Sequence, residues 1–477
     1  METAELVFLP SLAVGHLVST LKFITQFLDR DHRFSATILL MKPPFALTPT
    51  PGNSDPPPPT STPRIRYIHL PCPPDPPPIQ ILHKSPENYF SLYVESYKSL
   101  VKNAVVDLVV PVAGLVLDVF CTSMIDVGDE LGINSYIFLT SGAGFLGFMF
   151  HLEARDRLVG VEFDKSEADS TIPCFTHSVP MGALPQFAFN GDGGFSSMAK
   201  QARKLKESKG IIINTFAELH QPSVWSSLSE DGIPPIYTVG PVLDLKSENR
   251  PTPDEKQSRE IKGWLDNQPP SSVVFLCFGS WGCFSQPQVM EIANGLESSG
   301  VRFLWSLRSP PPPHKQLEPP SDYADVDDVL PEGFRERVNG KGRVCGWVRQ
   351  VDILAHRAIG GFVSHCGWNS ILESIWHAVP LAAWPQYAEQ QINAFELVRE
   401  LGLAVEMKID YHRDCGYLVS SDQIDRAVRC LIDGDDAEEM RKRMKEASEK
   451  SREALVHGGS SYTSFGNLID NMVATFL

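Results

Sequence analysis

The sequence predicts an α/β protein made of two similar halves, and three observations support this prediction. Apolar runs of strand length alternate with amphipathic runs of helix length over residues 5–139, and the alternation returns after residue 272. Residues 243–257 are polar and contain proline, which is typical of a linker. The chain has 477 residues, enough for two domains of ordinary size. Because the chain opens β-loop-α-β, we expect a doubly wound sheet.

The first half opens with a predicted strand, loop, helix and strand at residues 5–10, 11–16, 17–28 and 34–41. The helix is predicted because its apolar residues recur at spacings of three and four. Two proline-rich segments are predicted to be loops, residues 49–59 and 71–78. The other elements predicted in this half are strands at 65–71, 108–118 and 134–141, a strand with a helix start at 210–219, and helices at 86–106, 124–132 and 199–208.

The second half repeats the alternation of strand and helix. A proline-rich, acidic stretch at residues 309–328 interrupts it and is predicted to be a loop. The elements predicted here are strands at 273–280, 302–308, 342–348, 358–365 and 402–407 and helices at 286–300, 366–378, 391–401, 421–433 and 437–456.

Composition narrows the functional class. The formal net charge is −16, which argues against nucleic acid or an anionic membrane as a partner. No apolar run reaches the length of a membrane span, and residues 1–10 lack the basic start of a signal peptide. The nine cysteines are scattered without a C-x-x-C pair, as expected for reduced thiols. We expect a cytoplasmic protein.

The stretch Trp347–Gln390 contains the elements of a nucleotide-diphosphate site. A short apolar strand ends at His365, and Gly367, Asn369 and Ser370 follow where a helix begins. A helix start has unpaired N–H groups and a positive dipole end, so it favours phosphate. Glu373 lies one turn further on, and Trp347 offers a flat face to a base. This pattern indicates a diphosphate site without a Walker lysine.

Two further residues suggest acid–base chemistry. His16 follows the first predicted strand, and Asp118 ends another strand of the same half. Parallel strands bring their carboxyl ends to one edge, where an imidazole could take a proton and a carboxylate could fix its tautomer. The alternative is that both are ordinary structural or solvated polar groups. The histidines form no H-x-x-x-H or His/Cys cluster, so we expect no metal.

Gly142, Gly144 and Gly147 form a G-x-G-x-x-G pattern after a strand, with Asp164 downstream. Such a pattern can indicate a dinucleotide site, and hence an NAD(P)-dependent oxidoreductase. The pattern is not in the first β-α unit, however, and an apolar helix continues from it. Close packing of small residues is the simpler explanation.

The motif HCGWNS, the Glu three residues later and the closing Glu389-Gln390 resemble the box of plant family 1 UDP-glycosyltransferases, which runs from a Trp to a Gln or His over the length of Trp347–Gln390. One departure is Val348-Arg349-Gln350 where the family usually has Ala-Pro-Gln. The loop before His16 also departs, with Leu12-Ala13 for the usual Pro-Gly, but the histidine is in register.

The resemblance implies roles for individual residues. His16 would be the base and Asp118 its partner. Trp347 would stack on uracil, and Val348 would bind its edge through the backbone. The remaining implied roles are ribose binding by Gln350 and Glu373, diphosphate binding by Ser280, His365, Asn369 and Ser370, and sugar binding by Thr140, Glu389 and Gln390, with Trp368 beside them. Ser141 is the alternative to Thr140, which could equally cap the following helix, and Ser280 could belong to an ordinary Gly-Ser turn.

The resemblance also implies a GT-B fold, two Rossmann-like domains facing a cleft. We expect an N-terminal acceptor domain at 1–242, a linker at 243–257, a UDP-sugar domain at 258–460, and a helix in 461–477 that packs back on the first domain. Aromatic residues suited to a flat phenol are Tyr89, Phe120, Phe145 and Phe187.

The implied activity is inverting transfer of glucose from UDP-glucose to a phenol oxygen of a small acceptor such as a flavonoid. Glucose is expected because Gln, rather than His, closes the box at Gln390. A C-glycosyltransferase using an electron-rich aryl carbon is the alternative, and a silent UDP-sugar-binding protein would require the loss of His16 or Asp118. We expect UDP-glucose as co-substrate without metal or cofactor, and a monomer.

Overall fold

The computed structural model describes residues 4–44, 63–246, 254–312, 318–413 and 416–476. The predicted loop at 49–59 lies outside these residues. So do residues 247–253 of the predicted linker and residues 313–317 of the predicted acidic loop.

The first half forms a seven-stranded parallel sheet in the order β3-β2-β1-β4-β5-β6-β7. The strands are β1 Ala4–Leu9, β2 Phe34–Leu40, β3 Ile65–His69, β4 Val112–Asp118, β5 Ser135–Leu139, β6 Gly210–Ile213 and β7 Ile236–Thr238. Leu9 of β1 pairs with Leu117 of β4, and Asp118 pairs with Phe138 of β5. The carboxyl ends of these three central strands therefore meet at one edge of the sheet.

The second half forms a six-stranded parallel sheet in the order β10-β9-β8-β11-β12-β13. Its strands are β8 Val273–Cys277, β9 Arg302–Ser306, β10 Gly342–Cys345, β11 Ile359–Ser364, β12 Leu381–Ala383 and β13 Ala404–Glu406. Cys277 and Ala383 both pair with Ser364, so β8, β11 and β12 also end together. The predicted α/β class with two parallel sheets is confirmed.

Helices cover the sheets. Those of the first half are α1 Val14–Arg30, α2 Ile79–Lys84, α3 Pro86–Glu95, α4 Lys98–Val106, α5 Ile125–Leu131, α6 Ala143–Leu158, α7 Gly194–Leu205 and α8 Pro222–Ser227. Those of the second half are α9 Glu255–Asp266, α10 Gln286–Ser299, α11 Phe334–Arg337, α12 Gln350–Leu354, α13 Trp368–Trp376, α14 Gln390–Phe395, α15 Ser421–Ile432, α16 Asp435–Glu453 and α17 Ser460–Phe476. Among the described residues, none of the helices has both the length and the apolar character needed to cross a bilayer.

Alternate residues of the central strands enter different cores. On β1, Leu6 and Phe8 face one apolar cluster, whereas Val7 and Leu9 face another. Helices on both faces of each sheet explain why these strands read as continuous apolar runs. The C-terminal helix α17 packs against β4 and β7 of the first sheet, and Phe465 on it contacts the buried aromatic residues of α1.

Several predicted boundaries are wrong, for local reasons. Helix α1 begins at Val14, so the predicted loop at 11–16 is partly helical and His16 lies in the first turn. The residue before it, Ala13, has no capping side chain, so no sequence signal marks the start. The predicted helix 86–106 is two helices, because Ser96 bonds to the carbonyl of Tyr93 where α3 ends. The last three residues of the predicted linker, 255–257, begin α9.

Candidate active site

Three side chains meet where β1, β4 and β5 end. His16 Nδ1 lies 2.7 Å from Asp118 Oδ2, and the Thr140 hydroxyl lies 3.0 Å from the same nitrogen. The other Asp118 oxygen accepts a hydrogen bond from the Phe120 backbone N–H, which fixes the carboxylate. Because both contacts are made at Nδ1, Nε2 remains the ring nitrogen available to a substrate. The helix that follows β5 is capped by Gly142, so the alternative role of Thr140 as its N-cap is wrong.

The charge around His16 favours the imidazolium. Burial on its own would lower the pKa of His16, but the negative charge and hydrogen bond of Asp118 oppose this effect, and Glu389 from the second domain adds a further charge. The net result is a pKa above the ordinary 6.5. Burial has the opposite effect on a carboxyl group and raises the pKa of Glu389, and the nearby His16 partly offsets this rise. The His16 imidazole, paired with Asp118, therefore binds a proton more strongly than an ordinary histidine and faces a carboxylate of the second domain.

The ends of β8 and β11 enclose His365, which is 6% exposed. Burial lowers the pKa of His365 to about 4, so its ring is neutral at neutral pH and can donate a hydrogen bond without carrying a charge. Its Nε2 is packed between two glycines. A Cβ on Gly279 would lie 2.5 Å from this nitrogen, and one on Gly367 would lie 2.6 Å from it.

The diphosphate role implied for His365 predicts that Gly279→Ala weakens UDP binding. Gly279 has φ +72°, which disfavours alanine, and the new methyl group would push His365 from its place beside the start of α13. We expect the Kd for UDP, measured by calorimetry, to rise about ten-fold, the loss of one hydrogen bond to a charged group. The control is Gly263→Ala on α9, where a Cβ meets open space and no loss is expected. Equal UDP affinity in both variants would contradict the role predicted for His365 at the diphosphate.

The start of α13 collects several residues of the box. The Gln350 amide nitrogen bonds to the Ser370 hydroxyl at 2.9 Å and to Glu373 Oε2 at 2.7 Å, and all three side chains are buried. Their mutual bonds hold a polar cluster beneath the helix start. Ser280, which follows Gly279, is exposed at the same edge of the sheet.

Two box residues instead reach the first domain. The Asn369 side chain accepts from the Ser19 hydroxyl and donates to the Gly15 carbonyl, next to His16. Trp368 Nε1 donates to the carbonyl of Asn214 at 2.7 Å, and its indole is 3% exposed. These contacts tie the predicted donor site to the domain that carries His16 and Asp118.

Trp347, the residue predicted to stack on uracil, is held through its backbone. Its N–H donates to Asp322 at 2.9 Å, and its carbonyl accepts from the Gln257 side chain at 3.0 Å. The next residue, Val348, is buried. Sequence reasoning missed Gln257 and Asp322, because neither belongs to the box, and a lone Gln or Asp in a polar segment carries no signal.

The closing pair of the box begins α14. Glu389 is the N-cap residue, and Gln390 Oε1 accepts from the backbone N–H groups of Gln386 and Tyr387. These bonds hold the loop from β12 in place and turn the Gln390 carboxamide toward it.

Of the four aromatic residues predicted for an acceptor pocket, Phe120 lies against His16, with ring centroids 5.6 Å apart. The other three are buried core residues, Tyr89, Phe145 and Phe187.

The glycine pattern after β5 has a packing explanation. A Cβ on Gly142 would lie 2.7 Å from the Trp368 ring, one on Gly144 2.6 Å from Glu396, and one on Gly147 2.5 Å from Cys174. The small residues thus admit side chains of the second domain and of a neighbouring loop.

Within the described ranges, no cluster of three His, Cys, Asp or Glu residues could hold a metal ion.

Comparison with known proteins identifies the family. A family profile described as "UDP-glucoronosyl and UDP-glucosyl transferase" matches residues 239–444. The UDP-glycosyltransferase 71K1 of Malus domestica is 47% identical over 484 aligned residues, which cover 99% of each chain. The chain belongs to the UDP-glycosyltransferase family. The resemblance drawn from the box is therefore confirmed.

Two further relatives of this UDP-glycosyltransferase are informative. The UDP-glucose flavonoid 3-O-glucosyltransferase 6 of Fragaria ananassa is 46% identical over 491 residues, covering 99% of each chain. The crystal structure of Medicago truncatula UGT71G1 complexed with UDP-glucose matches with a TM-score of 0.87 and 43% identity over 98% of each chain. The predicted two-domain fold is confirmed by this match.

Proposed function

We propose that this UDP-glycosyltransferase moves glucose from UDP-glucose to a phenolic oxygen of a small acceptor such as a flavonoid, with inversion at the anomeric carbon. The observation that carries the proposal is the His16–Asp118 pair at the edge of the first sheet, with Glu389 of the donor domain close enough to raise the pKa of His16. The names of the relatives from Fragaria and Medicago support the donor and the acceptor class.

The donor would lie along the edge of the second sheet. Trp347 stacks on uracil, and the Val348 backbone binds its edge. Gln350 and Glu373 take the ribose hydroxyls, consistent with their position under the start of α13. The diphosphate would be bound by Ser280, His365, Asn369 and Ser370, and the sugar by Thr140, Glu389 and Gln390, with Trp368 beside them.

The reaction is a single in-line displacement. His16 Nε2 removes the proton of the acceptor hydroxyl while that oxygen attacks the anomeric carbon, and UDP leaves from the opposite face. Asp118 holds Nδ1 protonated and stabilises the imidazolium that forms. The start of α13 and the neutral His365 meet the charge that develops on the leaving diphosphate. These groups would act without a metal ion.

An O-linked product is favoured because the O-glucosyltransferase from Fragaria aligns over nearly the whole chain. The same base could serve an electron-rich aryl carbon, so C-glycosylation is the second candidate.

The NAD(P)-dependent oxidoreductase alternative has lost its basis, since Trp368 and Glu396 occupy the space beside two glycines of the G-x-G-x-x-G pattern. We also expect a cytoplasmic monomer, and the eight described cysteines form no disulfide bond with one another, which is consistent with a reducing compartment.

The test is an assay of wild-type enzyme with UDP-glucose and a panel of flavonols and simple phenols, with and without EDTA. We expect UDP release together with an acceptor product heavier by one hexosyl group, at equal rates in both buffers. Acid hydrolysis should release glucose from an O-linked product and leave a C-linked one intact. Failure to bind UDP would contradict the donor site, and loss of activity in EDTA would contradict the metal-free mechanism.

A further inference from the structure

A second histidine–carboxylate pair lies buried between the two domains. His220, after β6 in the first domain, has Nδ1 2.7 Å from Glu396 Oε1 in the second domain, and Nε2 2.8 Å from the Thr215 hydroxyl. The side chains of His220 and Glu396 are 0% and 2% exposed. A buried charged hydrogen bond is costly to break, because it leaves an uncompensated group in a dry site. This pair therefore fixes one relative placement of the domains strongly.

The pair also contacts Trp368, the first residue of α13. The indole stacks on the His220 ring, with centroids 6.0 Å apart and planes 15° apart, while its N–H bonds to Asn214. Gly142, three residues after the end of β5, lies so close to the indole that a Cβ would meet it at 2.7 Å. The start of α13, where the diphosphate is proposed to bind, is thus anchored in the first domain, next to the strand end that carries Thr140.

Glu396 is joined to the sugar-binding residues through its own helix. It lies two turns after Glu389, and the backbone from Glu396 to Glu400 forms a π-helical turn. Between them, Asn393 donates to the Cys366 carbonyl of the box at 3.0 Å and reaches Glu389 at 3.5 Å. Displacement of Glu396 would therefore move the predicted sugar ligands relative to His16.

One oxygen of Glu396 reveals that packing alone does not explain this residue. Within the described part of the chain, Oε2 is buried without a hydrogen-bond partner. An unsatisfied buried carboxylate oxygen costs stability, and an apolar side chain would fill the site without that cost. The directional bond to His220 is what the carboxylate adds.

We propose that His220 and Glu396 are positioning residues of the transferase, holding Trp368 and the helix of Glu389 and Gln390 at the distance from His16 that glucosyl transfer requires. The proposal rests on the proposed function and extends it to residues outside the box. It predicts a loss in the transfer step with UDP binding preserved, because the groups proposed for UDP belong to the second domain.

The test is Glu396→Gln, which keeps the shape of the side chain and an acceptor oxygen for His220 but replaces the hydrogen bond to a charged group with a weaker neutral one. We expect kcat for glucosyl transfer to fall about 10-fold to 100-fold, the scale of a small misplacement of reacting groups. The Kd for UDP should stay within about two-fold, which separates a loss in the transfer step from a loss of donor binding.

Glu400→Gln is the matched control. Glu400 lies one turn further along the same helix and also crosses to the first domain, where it accepts bonds from Thr176 and His177. It has no contact with Trp368, and we expect its kcat within about three-fold of wild type, since its loss weakens the interface alone.

Three results would overturn the proposal. They are an unchanged kcat in Glu396→Gln, a parallel loss of kcat and UDP affinity, and an equal loss in Glu400→Gln. If the wild type forms the glucoside, His16→Ala does not, and Glu396→Gln transfers glucose at the wild-type rate, this inference is refuted while the proposed function stands. A wild type that forms no glucoside would refute it together with the proposed function.

Discussion

Replacing His16 with alanine should lower the rate of glucosyl transfer by about 10²-fold to 10⁴-fold, the contribution typical of a positioned general base. The reason is geometric, since the Asp118 and Thr140 contacts both use Nδ1 and leave Nε2 for the acceptor. UDP binding should change little, because His16 belongs to the first domain and the nucleotide is proposed to bind the second. Single-turnover kinetics and calorimetry with UDP measure the two effects separately.

His32→Ala is the control for this substitution. His32 is exposed in the same domain, and its loss should leave both quantities unchanged. A His16→Ala enzyme that transfers glucose at the wild-type rate would remove the base from the mechanism. A proportionate loss of UDP affinity would contradict the proposed binding of the nucleotide to the second domain, away from His16.

Substituting Asp118→Asn should lower the transfer rate on the order of 10²-fold to 10⁴-fold and also move the pH profile. An asparagine can still accept from the Phe120 N–H through its oxygen, which turns its NH₂ group toward His16 Nδ1. That arrangement favours the tautomer with the proton on Nε2, which cannot act as a base. The loss in rate therefore follows from tautomer choice as well as from charge.

The direction of the pH shift follows from the pKa of His16. The base is active when neutral, so kcat/KM rises as pH increases through a pKa that lies above 6.5 in the wild type. Removing the Asp118 charge lowers this pKa, and the rising limb should move to lower pH while its plateau falls. A limb that stays in place would show that the titrating group is not His16.

The sequence was most informative where a side chain pattern and a fold rule coincide. Strand ends in parallel sheets line up, so His16 and Asp118 could be predicted to meet, and the box fixed the start of α13. Boundaries that depend on backbone bonds alone were less predictable. The start of α1 at Val14 is one example, since Ala13 offers no cap.

Contacts between the domains could not be predicted. Glu396 and His220 are 176 residues apart in the chain, and neither lies in a recognisable motif. The glycines at 142 and 144 gave a signal, but a misleading one, because the groups that fill the space beside them come from the other domain. Pairings of this kind depend on how two folded sheets face each other, which a single sequence does not encode locally.

The most direct test of the central claim is the anomeric configuration of the product made from UDP-glucose and a flavonol, determined by proton NMR. In-line displacement by a phenol oxygen activated by His16 predicts a β-glucoside linked through oxygen. An α-linked product would contradict the single displacement, and a carbon-linked product would contradict the acceptor chemistry proposed here.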